Sequence, residues 1–237
     1  YSGIDFHGSG TLGNADLKTL TLVSNGIRGY DAAGTTTIQA GQVTLRNTLN
    51  APASSAPSGG SGELRIIADT IGLGANTFSV AGYEQVSLNA SNRLVSAGTG
   101  SLLVSGNLGV DTKLVTGESG SAYSILASGN LDLRGDGSTV AADGLALGAK
   151  LSLTGASVNA DTNILLPSGD LSLTATSGDL NINGNLLAEG SSQVFNKLIR
   201  SADAGDITLA SLTGNVVVGA NAKVSVSANG IGGNAGS

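Results

Sequence analysis

The 237-residue chain carries 11 Lys and Arg against 17 Asp and Glu, a net charge of −6, with 12% charged, 40% hydrophobic and 3% aromatic residues. That much aliphatic content excludes a disordered chain, and the sparse basic residues give no footprint for nucleic acid or an anionic membrane. There is no Cys, hence no disulfide framework or thiolate metal site, and no apolar run is long enough for a membrane helix, so neither a nucleic-acid partner nor membrane insertion is expected.

The chain opens on Tyr1 and shows no signal peptide, which reads as a piece of a longer protein. His7, the sole histidine, precedes any regular pattern and by itself makes no transition-metal site. From Leu20 onward one signature recurs, an aliphatic residue, a polar or small one, then another aliphatic. It appears as Leu20/Leu22, Val43/Leu45, Leu64/Ile66, Val86/Leu88, Leu108/Val110, Leu131/Leu133, Leu151/Leu153 and Leu171/Leu173. The leading residues are evenly placed from Leu20 to Leu171, at about 22 positions per step. Alternation of this kind is strand periodicity with one face buried.

Further short strands lie between these anchors, at Thr37-Ile38-Gln39, Phe78-Ser79-Val80, Ser101-Leu102-Leu103-Val104 and Ile164-Leu165-Leu166. Two interruptions stand out. Ala51 to Gly62, with Pro52 and Pro57, reads as a loop projecting from a turn. Between Ser192 and Ala204 the spacing of Val194, Phe195, Leu198 and Ile199 predicts a short amphipathic helix. Strand alternation resumes at Ile207/Leu209, Val216/Val218 and Val224/Val226, and residues 229–237 read as a loose Gly-rich connection. Several strands are entered through Ser-Gly-Asn/Asp turns, such as Ser105-Gly106-Asn107, Ser128-Gly129-Asn130, Ser168-Gly169-Asp170 and Ser177-Gly178-Asp179. Glycine is expected there to supply positive φ, with Asn or Asp bonding nearby backbone.

A unit of that length with two or three short strands cannot bury its apolar face alone, whereas stacked units can. The expectation is an all-β fold, a single right-handed parallel β-helix over residues 1–237 with about 22 residues per coil. A hairpin-built sandwich explains the alternation but not the constant step.

Segments such as Thr176-Ser177-Gly178-Asp179-Leu180-Asn181-Ile182-Asn183-Gly184-Asn185-Leu186 resemble the repeats of filamentous haemagglutinins and related large exoproteins of the two-partner secretion pathway. The similarity runs from about Leu20 to the end. It implies a secreted, surface-associated bacterial adhesin segment whose partners are a host-cell or bacterial receptor or glycan and, for the parent protein, an outer-membrane transporter. The family's amino-terminal secretion domain carries Asn-Pro-Asn motifs, and none occurs here, so the resemblance implies a shaft or downstream segment. A passive shaft presenting a distal adhesive or toxic domain is the alternative. A polysaccharide lyase or glycosidase is a further one, because parallel β-helices also carry such enzymes.

An enzyme of that kind needs clustered carboxylates on neighbouring coils. The outward positions bring together only Asp111, Asp132 and Arg134, which reads as a surface ion pair rather than a catalytic group. No enzyme activity, cofactor or metal is expected. Arg134-Gly135-Asp136 spells a tripeptide presented by many integrin ligands and is the candidate partner-binding site. Asn89-Ala90-Ser91 is the single Asn-x-Ser/Thr sequon. Asp136-Gly137 lacks the spacing of calcium-binding β-rolls.

Overall fold

The computed structural model describes residues 3–30, 33–47, 60–138, 140–141, 144–196, 198–228 and 233–237, with backbone alone for 193–195. The described residues form 24 strands and no helix, and 22 of the strands lie in two long parallel sheets. The arrangement is solenoid-like, with three ladders of strands.

The first ladder is the eight-stranded sheet β1 (Ile4–His7), β4 (Gly26–Tyr30), β8 (Asn76–Ala81), β10 (Thr99–Val104), β12 (Ala122–Ala127), β14 (Lys150–Gly155), β17 (Asp170–Ala175) and β22 (Ile207–Ser211). The second and third ladders share one sheet, because three long strands bend from one into the other. These are β7 (Glu63–Leu73), β9 (Gln85–Ser96) and β11 (Asn107–Gly117), whose register shifts at Ala68/Thr70 and Thr112/Leu114 mark the bend. The second ladder also holds β2 (Gly10–Gly13), β5 (Thr35–Gln39), β13 (Leu131–Arg134), β15 (Val158–Asp161), β18 (Leu180–Ile182) and β23 (Val216–Val218). The third holds β3 (Thr19–Val23), β6 (Gln42–Arg46), β16 (Asn163–Leu165), β19 (Asn185–Leu187) and β24 (Lys223–Ser225).

Inward residues stack into continuous columns. In the second ladder Leu12, Ile38, Ile66, Leu88, Val110, Leu133, Ala160, Ile182 and Val218 are successive partners. Every interior member is at most 1% exposed, while the terminal Leu12 and Val218 are 38% and 52% exposed. Each buried aliphatic side chain contributes about 1.5–3 kcal/mol of transfer free energy. Burial by stacking, rung on rung, is therefore what holds the molecule together.

Register corrects the single-column reading of the sequence. Leu64, Val86, Leu108 and Leu131 do stack, as successive rungs of the second ladder. Leu20 and Val43 stack in the third ladder, and Leu151 and Leu171 in the first. Val43 pairs with Ile71 rather than Leu64, and Leu131 with Val158 rather than Leu151. The aliphatic-x-aliphatic signature is common to all three ladders, so spacing alone passed from one to another unnoticed. Two rungs also skip a ladder. Gly26 pairs with Ser79 across the 48–59 stretch, and Leu114 pairs with Asn163 across 135–149.

The segment expected as a helix is instead an antiparallel hairpin, β20 (Ser191–Phe195) with β21 (Leu198–Ala202), pairing Val194 with Ile199 and Phe195 with Leu198. A tight hairpin gives the same apolar spacing as a helical turn, and Asn196 enters it at φ 47°. The hairpin sits between β19 and β22, and Leu171 still pairs with Ile207 across it. Residues 51–59 of the expected loop lie outside the described residues. Of the expected loose carboxyl end, 229–232 lie outside them too, whereas Asn234, Gly236 and Ser237 are bonded to Ala204, Val226 and Ile207.

The turn glycines serve close approach rather than positive φ. Gly106, Gly129, Gly169 and Gly178 are not among the positive-φ residues. A Cβ on Gly129 would run into the Asn107 carboxamide of the rung below. That carboxamide accepts the Asn130 amide at 2.9 Å, as Asp179 accepts the Asn215 amide at 2.8 Å. Gly129 and Gly214 thus clear room for the Asn107 and Asp179 side chains, which cap the next rung.

Candidate functional site

The charged cluster expected at Arg134 is formed. Asp111 and Arg134 are register partners on adjacent strands, and Asp132 lies two residues before Arg134 on the same outward face. Arg134 Nη2 donates to Asp132 Oδ2 at 3.2 Å, and Nη1 lies 3.7 Å from Asp111 Oδ1. Asp132 Oδ1 accepts from Asn159 Nδ2 at 2.6 Å, and Asn159 Oδ1 accepts from Asn181 Nδ2 at 2.8 Å, so an amide ladder continues the cluster over two further rungs.

Gly135 and Asp136 follow as the chain leaves β13. Gly135 donates its amide to Asp161 O at 2.6 Å, and a Cβ there would press on that oxygen and on Thr162 Oγ1, both 3.1 Å away. Asp136 Oδ1 accepts the Ser138 amide at 3.0 Å, and Lys113 Nζ lies 3.3 Å from Asp136 Oδ2. Ser138 and then Lys113 hold the Asp136 carboxyl down at about 2. Asp136 is therefore an anion at neutral pH, suited to ion pairing and not to proton donation.

Lys113 is a member that sequence reasoning missed. It falls at the bend of β11, where the register shift between Thr112 and Leu114 breaks simple alternation. Ser91, Asp111, Lys113, Arg134, Gly135 and Asp136 line an open depression of about 340 Å³. Its charged side chains are half exposed, so solvent screening leaves each pair little weight in stability. The arrangement holds Arg134 and Asp136 in intramolecular ion pairs on one surface.

Two other surfaces bear on function. On the first ladder Thr77, Ser101, Ser124, Ser152, Ser172 and Thr208 form an unbroken outward column of hydroxyls, beside the Lys150–Asp170 pair at 2.7 Å. At the hairpin, Leu198 and Ile199 are 51% and 41% exposed. Of the remaining motifs, His7 stacks on Tyr30 with ring centroids 5.0 Å apart. Asn89 of the sequon turns Oδ1 inward, without a hydrogen-bond partner among the described residues. The described residues contain no group of three or more His, Asp or Glu placed to hold a metal ion.

No family model matches the chain, and no curated protein or solved structure matches it.

Proposed function

We propose that the chain is a right-handed parallel β-helix with coils of the length read from the sequence. We propose further that it is a segment of a secreted bacterial surface adhesin of the filamentous haemagglutinin type, attaching to host cells or other bacteria. The observation that carries the reading is the pairing of 22 strands into long parallel ladders interrupted by a hairpin with exposed aliphatic side chains. The coil length is supported by the direct stacking of Leu64 on Val86, Leu108 on Leu131 and Val158 on Leu180. The parent would be carried across the outer membrane by its transporter and would meet a receptor or glycan at the cell surface. The chain has no catalytic role and holds no cofactor in this reading.

The hairpin is the favoured contact, because Leu198 and Ile199 both stand exposed where the chain departs from the parallel ladders. The Arg134-Gly135-Asp136 surface is the second candidate. A passive shaft is the other reading, and the hydroxyl column of the first ladder favours it, since such a face stays soluble without recognising anything. Binding of the purified chain to epithelial cells and a glycan panel separates the two. The controls are a Leu198→Ser/Ile199→Ser variant, an Arg134→Ala variant and a deletion of 51–62. Saturable binding lost in one of these locates adhesion there. Absence of binding by the folded chain rejects adhesion in favour of the shaft, and cleavage of a polysaccharide that Asp132→Ala abolishes rejects both.

A further inference from the structure

The corner between the second and third ladders is built differently from either ladder. On successive rungs a small residue stands there between two larger or polar ones, in Ile67-Ala68-Asp69, Asn89-Ala90-Ser91, Asp111-Thr112-Lys113 and Arg134-Gly135-Asp136. Ala68, Ala90 and Thr112 are 6%, 1% and 5% exposed and form a concave floor. Along one wall Ile67, Asn89, Asp111 and Arg134 are successive register partners. Along the other, Ser91 Oγ donates to Asp69 Oδ1 at 2.7 Å, and Lys113 Nζ lies 3.3 Å from Asp136 Oδ2. Two open depressions of about 360 and 340 Å³ follow this corner and share Ala90, Ser91 and Asp111, so they form one groove. The sequon and the Arg-Gly-Asp tripeptide are thus two rungs of the same feature. Its strands β7, β9, β11 and β13 are each paired on both edges, so the groove does not depend on where the chain starts or stops.

The two halves of the groove differ in chemistry. Around Arg134 the charges are matched, Asp111 and Asp132 by Arg134 and Asp136 by Lys113. Around Ser91 they are not. Asp69 is exposed and takes a hydrogen bond from Ser91 but has no ion-pair partner among the described residues. Asn89, on the facing wall, has an Oδ1 without a hydrogen-bond partner among the described residues. No Lys or Arg lines this half, and Ile67, Ala68 and Ala90 give it an apolar strip. Main-chain recognition is closed to a ligand here, because the paired edges of β7 and β9 leave no place for an added strand.

We propose that this groove binds a linear polysaccharide carrying free amino groups, its chain lying along the rungs with an ammonium at Asp69. Rungs repeat at about 4.8 Å, close to the length of one pyranose ring in a linear chain, so successive sugars meet successive rungs. Sugar hydroxyls donate and accept at once, which suits walls that mix carboxylates, a carboxamide, a hydroxyl and cations. The C–H face of a ring covers Ile67 and Ala68. An ammonium brings three donors and no acceptor, matching the unpaired Asp69 carboxylate and, on rotation of its carboxamide, Asn89 Oδ1. A carboxylated polysaccharide meets three carboxylates, Asp69, Asp111 and Asp136, and is disfavoured. This gives the adhesive reading, on which it rests for its setting, a ligand class and a site away from the hairpin.

Calorimetry of the whole chain with glucosamine oligomers of increasing length tests the proposal, with N-acetylglucosamine oligomers, oligogalacturonate and oligolysine as comparisons. Glucosamine oligomers should bind, with affinity rising until the chain spans the rungs of β7, β9, β11 and β13 and levelling beyond. The N-acetylated oligomers should bind about tenfold more weakly, having lost a hydrogen bond between charged groups. Asp69→Asn, at an exposed side chain, should cost about the same factor. Asp170→Asn makes the same charge change on the first ladder and should leave binding unchanged. Equal losses in the two variants would mean attraction by the net charge of −6 and overturn the proposal. So would absence of binding, or oligolysine, oligogalacturonate or N-acetylated oligomers bound as tightly as the amino sugar. Cell attachment measured alongside keeps the two readings apart. Oligomer binding without attachment retains the groove and rejects the adhesin, and attachment without oligomer binding does the reverse.

Discussion

The sharpest test of the stacking energetics compares one substitution at two heights of the same column. Leu133 and Leu12 both point inward in the second ladder, but Leu133 is 0% exposed between Val110 and Ala160, whereas Leu12 is 38% exposed on the first rung. Leu133→Ala removes three carbons at about 0.8 kcal/mol each, roughly 2.4 kcal/mol of transfer free energy. Rungs above and below prevent collapse, so a cavity term brings the cost to about 3–4 kcal/mol. At Leu12 only about three-fifths of the side chain leaves water, and the space left opens to solvent with no cavity term, so about 1.5 kcal/mol is expected. Urea denaturation of both variants against the parent, read as a change of midpoint at constant slope, measures the two costs. Native-state amide exchange at Leu88 and Val110 guards against rungs unfolding separately. Equal costs at the two positions would refute the stacked-column account of stability.

Two further outcomes follow from single side chains. Asn163 is 6% exposed and donates to Lys113 O and Ser138 O at 2.9 and 2.8 Å while accepting from Asn185 at 2.7 Å. Asn163→Ala leaves two part-buried carbonyls without that donor, at about 1–3 kcal/mol in total, and should speed proteolysis within 135–149, leaving cleavage elsewhere unchanged. Asp136 is held at about 2 in the fold against an ordinary carboxylate value near 3.9 in the unfolded chain. Its pKa is lowered on folding, so the stabilisation is present above about pH 4 and is lost as pH falls toward 2. A carboxyl resonance of Asp136 that titrates near 4 would contradict the Ser138 and Lys113 contacts.

Alternation made every ladder visible in the sequence, and the break between Leu171 and Ile207 located the hairpin, because those two residues do pair across it. Identity of ladder was not legible. All three ladders need the same inward aliphatics, so Val43 followed by Leu64 looks like one step of a column when it is a change of ladder. Skipped rungs leave no trace either, since a stretch such as 135–149 lacks a rung of the third ladder without changing the signature on either side. The Asp111–Arg134 pair was legible for a specific reason. It lies in the run from Leu64 to Leu131, where successive anchors of the signature are true register partners. Lys113 and Asp136 lie beyond a bend and a strand end, where that count no longer predicts neighbours.

The same physics separates positions that the fold dictates from positions left to function. Inward residues and Gly-Asx steps are fixed by what the next rung needs, a buried aliphatic at each height and a carboxamide or carboxylate that reaches an amide at 2.8 or 2.9 Å. Outward residues are not so constrained, since a hydroxyl, an amide or a charge at Ser124, Asn159 or Asp111 leaves the ladder intact. Recognition must therefore be written in outward positions, in the interruptions, or at the ends. On this chain the hydroxyl and amide columns are broken, among the described residues, by ion pairs such as Lys113–Asp136, Arg134–Asp132, Lys150–Asp170 and Arg65–Glu63, and by the hairpin at Leu198 and Ile199.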